Sequence, residues 1–510
     1  MKNIPNIEMR GITKRFGSIV ANNKVDLTIE PGEILALLGE NGSGKTTLMN
    51  MLSGIYFPDE GHIYVKGEEA SISSPKDAYK YGIGMIHQHF KLVDVFTVIE
   101  NVALGIDDPI KSKPENVEKG IRKICELYGF EIDPKQKVYN MNVSQKQTLE
   151  IIKVLYRGAD VLILDEPTAV LTPQETDKLF SVIRNMKNDS KSIVIITHKL
   201  HEVLEISDKV AILRKGEYIA TVNTSESTET SLTEMMVGQK IDLNIERPKV
   251  ENRVKRLTIE HLTCYNKDGV EAIKDVSFTV FGGEILGIAG ISGCGQKELL
   301  EAIAGLQRCE HGSSITYHSR HHGDQQLIGK SPKKIRDLGI SLSFVPEDRL
   351  GMGLVGSMGM AENMMLKTYN SGSPVFIHKK PSKELAEEIR DRLKVVTPDI
   401  GTPVRKLSGG NVQKVLVGRE ISAAPSVLLT AYAVRGLDIN TSYAIYDLLN
   451  EQKKKGVAVV YVGEDLDVLL ELSDRILVLC DGRINGMLKG EEATKEQVGL
   501  LMTRLNRGMD

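Results

Sequence analysis

The chain has 510 residues, with 65 Lys and Arg against 68 Asp and Glu, five cysteines and no tryptophan. At ~100–200 residues per domain this length suggests two to four domains, and a net charge of −3 gives no field that would draw the whole chain onto nucleic acid or acidic lipid. The longest uncharged run, Ile421–Val434, is shorter than the ~18–20 residues of a membrane-spanning helix, and cysteines without a CxxC pair argue against a secreted disulfide framework.

An internal repeat organises the chain. Leu27–Leu35 (LTIEPGEIL) reappears as Phe278–Leu286 (FTVFGGEIL), and Ser207-Asp208 reappears as Ser473-Asp474. These matches predict a tandem duplication. The predicted division is a first domain at 1–240, a polar and charged linker at 241–256 and a second domain at 257–510.

Short apolar runs alternate with segments of helical length in the first copy. Val161–Leu164 and Ile193–Ile196 predict buried strands, and Gln174–Lys187 between them predicts a helix. This alternation indicates an α/β domain with a largely parallel sheet. Because phosphate-binding loops follow the carboxyl ends of such strands, the residues after each strand are the candidate functional residues.

The strand predicted at Glu33–Leu38 leads directly into a phosphate-binding motif, G-x-x-x-x-G-K-[ST], at Gly39–Thr46. In this setting the glycines let backbone N–H groups point at phosphates, and the following helix adds its positive end. Lys45 would reach the β- and γ-phosphates, and the Thr46 hydroxyl would bind Mg²⁺. The predicted nucleotide-contacting residues of the loop are Gly39, Glu40, Asn41, Gly42, Ser43, Gly44, Lys45, Thr46 and Thr47.

Polar side chains follow two further predicted strands. Asp165 is placed to hold Mg²⁺, and Glu166 to orient or deprotonate an attacking water. His198, after another strand, is placed to contact the γ-phosphate. Each of these would be an ordinary strand end if it stood alone, so the assignment depends on the phosphate loop that precedes them.

The order of motifs resembles that of an ATP-binding cassette (ABC) ATPase: phosphate loop, Gln88, a signature region near Asn142, Asp165-Glu166-Pro-Thr, and His198. The resemblance covers nearly all of both copies. It implies two tandem P-loop domains of the α/β class, each with a mostly parallel sheet core, a small antiparallel β subdomain and a helical subdomain. It also implies that Gln88 senses Mg²⁺ and couples to a membrane partner, and that Phe16 stacks on adenine, with core packing the alternative for Phe16.

The second copy lacks the catalytic side chains. Its phosphate loop, Gly290–Lys297, has no hydroxyl where the metal would bind. The replacements are Gln296 for Lys45, Lys297 for Thr46, Ala431 for Asp165, Tyr432 for Glu166 and Glu464 for His198. We therefore expect this copy to bind nucleotide at most, and not to hydrolyse it.

The signature motif shows the opposite asymmetry. It is intact in the second copy as Leu407–Asn411 (LSGGN), whereas Met141–Gln145 (MNVSQ) of the first copy lacks the serine and both glycines. Since ABC domains pair head to tail, the resemblance implies intramolecular pairing of the two cassettes. One composite site per chain would then combine the first copy with Ser408, Gly409 and Gly410 of the second.

Tandem cassettes with Pro346–Arg349 (PEDR) and Arg435–Asp438 (RGLD) resemble bacterial importer ATPases for monosaccharides and nucleosides. Met85–Asp94 and Leu155–Asp160 look more like the nucleoside branch, with ribose or galactose import as the alternative. The resemblance implies ATP and Mg²⁺ as cofactors, and two integral-membrane permeases and an extracytoplasmic solute-binding protein as partners, without nucleic acid. It places the chain at the cytoplasmic face of the cell membrane. A tandem ABC protein that acts on ribosomes is the rival class, which the short linker and single intact site disfavour.

Two other residue sets have both a functional and an ordinary interpretation. One set could form an apolar cup for a permease helix or could be core: Phe90, Leu92, Val93, Phe96 and Val98. The other could hold a metal, although an exposed turn is favoured: His311, His318, His321 and His322.

Overall fold

The computed structural model describes residues 4–17, 19–87, 90–169, 171–239, 244–251, 253–266, 269–291, 293–319, 323–368 and 378–503. The chain divides into two compact units, Met1–Asp242 and Leu243–Asp510. In the part of the chain that the structure describes, no helix is both long and apolar enough to cross a membrane.

The first unit is built from two sheets and a set of helices. Its strands are β1 (Ile7–Phe16), β2 (Ile19–Ile29), β3 (Ile34–Leu38), β4 (Glu60–Val65), β5 (Glu68–Glu69), β6 (Ile83–Ile86), β7 (Val161–Asp165), β8 (Ser192–Ile196), β9 (Lys209–Arg214) and β10 (Glu217–Asn223). Its helices are α1 (Lys45–Leu52), α2 (Pro75–Lys80), α3 (Val98–Ala103), α4 (Pro114–Tyr128), α5 (Val143–Tyr156), α6 (Pro173–Asn188), α7 (Leu200–Ile206) and α8 (Glu229–Val237).

The larger sheet of this unit has the strand order β10-β9-β3-β8-β7-β6 and is parallel except for the β9–β10 pair. All residues of β3, β7 and β8 are buried, as expected for a parallel sheet that is covered on both faces. Because β3, β8 and β7 run in the same direction side by side, the residues that follow Leu38, Asp165 and Ile196 meet at one edge of the sheet. That edge is where the sequence predicts the nucleotide site.

The first unit also contains the antiparallel β subdomain and the helical subdomain that the family resemblance implies. An antiparallel sheet has the order β2-β1-β4-β5, and α3, α4 and α5 pack together as a helical layer. The strands predicted at Glu33–Leu38, Val161–Leu164 and Ile193–Ile196 are confirmed as β3, β7 and β8. The helix predicted at Gln174–Lys187 is confirmed as α6, which starts at Pro173 behind a capping box formed by Thr172 and Glu175.

The second unit repeats this architecture. Its strands are β11 (Val254–Tyr265), β12 (Glu271–Gly282), β13 (Ile285–Ala289), β14 (Ser314–Ser319), β15 (Gly323–Gln326), β16 (Leu342–Val345), β17 (Val427–Ala431), β18 (Ala458–Val462), β19 (Arg475–Cys480) and β20 (Arg483–Lys489). Its helices are α9 (Gln296–Ile303), α10 (Pro332–Asp337), α11 (Met360–Thr368), α12 (Lys380–Arg392), α13 (Gly409–Ser422), α14 (Ile439–Lys454), α15 (Leu466–Leu472) and α16 (Lys495–Thr503). The sheets have the orders β16-β17-β18-β13-β19-β20 and β12-β11-β14-β15. The predicted fold class is therefore confirmed.

Part of the segment predicted as a linker packs against the second unit. We call residues 244–251 with Arg253 the strap. The Ile245 side chain is buried in the core of this unit, and Arg247 Nε donates to the carbonyl of Glu471 in α15 at 2.9 Å. Asn450 Nδ2 of α14 donates to the carbonyl of Glu246 at 2.6 Å. The strap is thus held by both side-chain and main-chain contacts.

The strap contacts an ion pair of the second unit, and the first unit has the corresponding pair. In the second unit Lys453 lies 2.8 Å from Asp474, and their side chains are 0% and 7% exposed, with Arg253 also bonded to Asp474. In the first unit the corresponding Lys187 and Asp208 are 2.5 Å apart but 34% and 38% exposed. The same pair is therefore a buried interaction in one copy and a surface interaction in the other.

Candidate functional site

The phosphate loop connects β3 to α1 and holds its lysine close to the main chain. Gly44 has φ +95°, and a Cβ there would lie 2.3 Å from the carbonyl oxygen of Ala21, so only glycine fits. Lys45 Nζ donates to the carbonyls of Gly39 at 2.7 Å and Glu40 at 3.0 Å. Burial lowers the pKa of Lys45 below its usual value, although nearby carboxylates act to raise it. The ammonium group is therefore held ready for an anionic ligand.

The phosphate loop also contains a buried serine hydroxyl. Ser43 is 2% exposed, and within the described residues its Oγ has no hydrogen-bond partner. A buried polar group left unpaired costs ~1–3 kcal/mol. The loop therefore presents a hydroxyl that a ligand would satisfy, which fits a phosphate-binding role.

Two oxygen-bearing side chains meet at the start of α1 and the end of β7. Thr46 Oγ1 lies 3.5 Å from Oδ2 of Asp165. Burial, together with the adjacent Glu166 carboxylate, raises the pKa of Asp165 to about 6. A hydroxyl and a carboxylate are the ligands that Mg²⁺ prefers, and in nucleotide sites phosphate oxygens and waters supply the others. These residues therefore fit Mg²⁺, although the described residues contain no cluster of three or more His, Cys, Asp or Glu that would hold a metal alone.

Glu166 occupies a strained position beside His198. Its φ is +48°, and its backbone N–H donates to the carbonyl of Ile196 at 2.8 Å, which ties β7 to β8. Its Oε1 lies 3.0 Å from His198 Nδ1. Burial acts to raise the pKa of Glu166, but the hydrogen bond and charge of His198, together with the charges of Lys45 and Lys199, outweigh it, so that the pKa lies below its usual value. The carboxylate is therefore ionised at neutral pH and able to accept a proton or orient a water.

Sequence reasoning missed the side chains that hold the loop after β7. Gln147 Nε2 donates to the carbonyl of Pro167 at 2.6 Å, and Thr168 Oγ1 donates to Glu202 at 2.5 Å. Lys199 Nζ donates to Glu202 at 3.0 Å and to the Thr168 carbonyl at 3.1 Å. The spacing of Lys199 and Glu202 at the start of α7 was the available signal, but their shared partner Thr168 is distant in sequence.

The remaining predicted site residues of the first unit differ in their exposure to solvent. Phe16, at the end of β1, is 43% exposed, so the core-packing alternative does not hold. Its ring makes an edge-to-face contact with Tyr56, with centroids 5.2 Å apart. Asn41 and Thr46 are exposed, and Glu40 and Thr47 are half-buried. Gln88, predicted to sense Mg²⁺, lies outside the described residues.

Some residues predicted for the apolar cup and for the histidine set are not available for those roles. Val98 is fully buried in the core of the first unit, so it is not available to a permease helix. Leu92 packs on the same core, and Phe90, Val93 and Phe96 are half-buried. His318 uses both ring nitrogens, contacting Thr258 Oγ1 and Asp324 Oδ1 at 2.8 Å each, so it is not a free metal ligand. His321 and His322 lie outside the described residues.

The second phosphate loop keeps its shape without the lysine. Gln296 Nε2 donates to the carbonyl of Gly290 at 2.7 Å, the same distance at which Lys45 contacts Gly39. Lys297, at the position that corresponds to Thr46, has its Nζ 4.0 Å from Glu301 on its own helix. The loop therefore retains the fold of a phosphate loop but none of its catalytic groups.

The strand-end residues of the second unit form an ionic contact instead of a catalytic one. Burial and three nearby glutamates raise the pKa of Tyr432 to about 12, so its hydroxyl stays neutral. Arg435 Nε lies 2.8 Å from Oε1 of Glu464, and Arg435 Nη1 lies 2.5 Å from Oε1 of Glu347. Glu464, which replaces His198, is thus paired with an arginine of its own unit.

The two signature regions begin helices in different ways. In the second unit Ser408 caps α13, its Oγ accepting from the Asn411 N–H at 3.4 Å, and Gly409 and Gly410 form the first turn. In the first unit Asn142 and Gln145 close the start of α5 with a reciprocal capping box at 2.8 and 3.1 Å. That Ser408, Gly409 and Gly410 complete the site of the first unit stays a prediction.

Comparison with known proteins gives one family and several relatives. The profile of the ABC transporter family matches residues 22–169 and 273–430. The nucleoside import ATP-binding protein NupA of Lactococcus lactis is 41% identical over 98% of this chain and 99% of that protein. The guanosine import ATP-binding protein NupO of Bacillus subtilis is 41% identical over 97% of each chain. The ribose import ATP-binding protein RbsA 1 of Rubrobacter xylanophilus is 38% identical over 98% of each chain.

Proposed function

Because the chain belongs to the ABC transporter family as an ATP-hydrolysing import subunit, we propose that it powers the uptake of a nucleoside through one composite ATP site per chain. Two similar proteins, at 41% identity, are named for nucleoside or guanosine import, and they support the nucleoside assignment. Import also implies two integral-membrane permeases and an extracytoplasmic solute-binding protein as partners. The chain would then act at the cytoplasmic face of the membrane.

One observation carries the single-site proposal. In the first unit an ammonium, a hydroxyl, two carboxylates and an imidazole converge at one edge of the sheet: Lys45, Thr46, Asp165, Glu166 and His198. In the second unit each of these groups is replaced, whereas the glycine-rich start of the signature helix is kept. Head-to-tail pairing would bring the intact half of each unit into one site.

The residues of the first unit have separable tasks in this proposal. Lys45 binds phosphate, and Phe16 contributes an exposed ring to the base. Thr46 and Asp165 would hold Mg²⁺, with Gln88 as the third ligand by resemblance; when bound, the ion neutralises charge on the β- and γ-phosphates. Glu166 orients the attacking water and accepts its proton, and its contact with His198 fixes the carboxylate.

Uptake by cells tests the proposal. Cells that produce the chain with its permeases are given labelled guanosine or labelled ribose, with the Glu166→Gln chain as the control for energy coupling. We expect guanosine uptake that the substitution abolishes. Uptake of ribose instead would favour the second candidate, import of a monosaccharide, which the 38% identity to a ribose import protein supports. Sedimentation of the chain with ribosomes, without any coupled uptake, would overturn the import role.

A further inference from the structure

Two arginines connect the signature loop of the second unit to its strand-end loops. We propose that Arg349 is a positioning residue for ATP hydrolysis, which holds Gly409 so that Ser408, Gly409 and Gly410 keep the shape required for ATP bound by the first unit. This inference rests on the composite site proposed above. It assigns a task to the PEDR and RGLD motifs, which the nucleotide chemistry leaves without one.

The contacts of Arg349 are to main-chain oxygens. Its Nη1 donates to the carbonyl of Gly409 at 3.2 Å, and its Nη2 donates to the carbonyl of Arg435. A Cβ on Gly409 would lie 3.3 Å from Nη1, so the guanidinium group is in close contact with the glycine backbone. The planar guanidinium can bridge two acceptors in fixed directions, which a lysine ammonium cannot do.

Arg435, whose carbonyl receives one arm of this bridge, is itself held at two points. Its side chain is paired with Glu347 of the PEDR motif at 2.5 Å and with Glu464 at 2.8 Å. Next to it in the RGLD motif, Leu437 and Asp438 lie against Gly410, within 3.8 and 3.9 Å of where a Cβ would be. A continuous set of contacts therefore runs from the strand-end position of Glu464 to both glycines of the signature loop.

Holding the carbonyl of Gly409 also holds the next N–H group. The peptide between Gly409 and Gly410 is planar, so its C=O and N–H point in fixed, opposite directions. N–H groups in the first turn of a helix lack partners within the helix and are suited to bind anions. Two successive glycines lose more conformational freedom than other residues when they are fixed. A side chain from outside the loop therefore provides the rigidity that glycine lacks.

The bridge occurs in the unit that has the intact signature. The first unit has Ala169 at the position of Arg435, which offers no guanidinium group, and Asn142 and Gln145 close its signature helix by themselves. In the second unit the positive charge of Arg435 acts on Arg349, whose side chain reaches the Arg435 carbonyl, and this repulsion costs electrostatic energy. Residues left at the degenerate strand ends thus serve the signature loop.

The test uses the full-length chain with three substitutions. Arg349→Gln removes the bridge, and Arg349→Lys keeps the charge but loses the two-armed geometry. Arg392→Gln is the matched control, because Arg392 is a half-exposed arginine of the same unit that pairs with Glu451 at 2.6 Å. For each chain, kcat and KM for ATP, the affinity for ADP and the thermal midpoint are measured. ADP lacks the γ-phosphate that the signature loop would contact.

We expect both Arg349 substitutions to lower kcat about tenfold, equivalent to ~1.4 kcal/mol. The affinity for ADP should stay within about twofold of that of the unchanged chain, and the thermal midpoint within about 2 °C. Arg392→Gln leaves all four quantities unchanged. Wild-type kcat in Arg349→Lys would overturn the proposal, because charge alone would then suffice. A fall in ADP affinity and thermal midpoint that matches the fall in kcat would also overturn it, because the role would be structural.

A double-mutant cycle separates this inference from the composite site. Ser408→Arg should block the signature loop, and adding Arg349→Gln to that chain should then have no further effect. If Ser408→Arg leaves hydrolysis intact, the composite site itself is wrong. If Ser408→Arg abolishes hydrolysis but Arg349→Gln does not lower kcat, only the role of Arg349 is wrong.

Discussion

Glu166 and Tyr432 have the same backbone conformation at equivalent strand ends. Their φ angles are +48° and +52°, and their N–H groups donate to the carbonyls of Ile196 and Val462, at 2.8 and 2.9 Å. A left-handed residue other than glycine costs ~1–2 kcal/mol, and the second unit retains this conformation without the carboxylate. The main-chain geometry therefore belongs to the fold of the strand end, and the side chain is what differs between the position proposed as catalytic and the position proposed as inactive.

Exchanging the two side chains for close analogues tests this distinction. Glu166→Gln removes the proton acceptor but keeps the shape, so kcat for ATP hydrolysis should fall by ~10²–10⁴-fold, the usual contribution of a general base. Tyr432→Phe removes only a neutral hydroxyl and should change kcat less than about twofold. Phosphate release by the full-length chain measures both. Loss of hydrolysis in Tyr432→Phe with retention in Glu166→Gln would reverse the assignment of the two units.

The two phosphate loops provide a second matched pair. Lys45→Ala removes a charged donor to phosphate, so ATP affinity should fall by ~10–100-fold, since a hydrogen bond from a charged group contributes ~1.5–3 kcal/mol. Gln296→Ala removes a neutral amide from a loop without catalytic groups, and the rate of hydrolysis should stay within about twofold. Titration with a fluorescent ATP analogue gives the affinity. Equal losses of hydrolysis in both chains would mean that both loops are required for turnover.

Much of the first-unit site could be predicted, because its residues follow strands whose apolar runs are plain in the sequence. Lys45, Asp165 and His198 needed only the motif and the rule that parallel strands end at one edge. The partners of these residues could not be predicted in the same way. Thr168 meets Lys199 and Glu202 only after β7 and β8 are placed side by side, and the sequence does not specify which of several nearby polar groups will pair.

The strap shows a different reason for an incomplete prediction. Its composition is polar, and a polar composition by itself predicts a solvent-exposed linker. Ile245 is one apolar residue in that stretch, and its burial depends on a cavity formed by residues far along the chain. The bonds of Arg247 to the end of α15 are equally non-local. A segment can therefore be part of a folded unit through a few contacts without any periodic pattern.

The duplicated ion pair predicts a difference in stability between the copies. Lys453→Ala removes one of the two cationic partners of the buried Asp474 and leaves Arg253 in contact with it, so we expect a loss of ~1.5–3 kcal/mol, the usual contribution of a hydrogen bond to a charged group. Lys187→Ala breaks the partly exposed pair of the first unit and should cost less than ~1 kcal/mol. Urea unfolding, followed by probes in each unit, measures the two free energies. Equal effects would show that the strap does not shield the second pair from water.

Cysteine reactivity tests the packing of the second antiparallel sheet. Burial raises the pKa of Cys264 to about 12, so its thiolate fraction at pH 8 is lower by about a thousandfold than that of an ordinary cysteine with pKa ≈ 8.5. Since the pKa is higher in the folded state, the folded chain keeps this proton at pH values where the unfolded chain loses it, so the contribution of this thiol to stability is fully present below about pH 8.5 and is lost as pH rises from about 8.5 to 12. Iodoacetamide labelling followed by mass spectrometry should find Cys264 unmodified in the native chain and modified in urea. Rapid native labelling of Cys264 would contradict the described burial.

The hydrogen bond from Gln296 to Gly290 bears on the evolution of a duplicated cassette. A neutral amide there closes the loop at the same distance as the lysine ammonium does in the other copy, so this loop closure does not require a charged donor. Selection for a stable protein would not preserve the reactive residues of a duplicated cassette. If one copy carries the turnover, as proposed, the other can lose its catalytic side chains without losing its fold, and its residues can then support the signature loop.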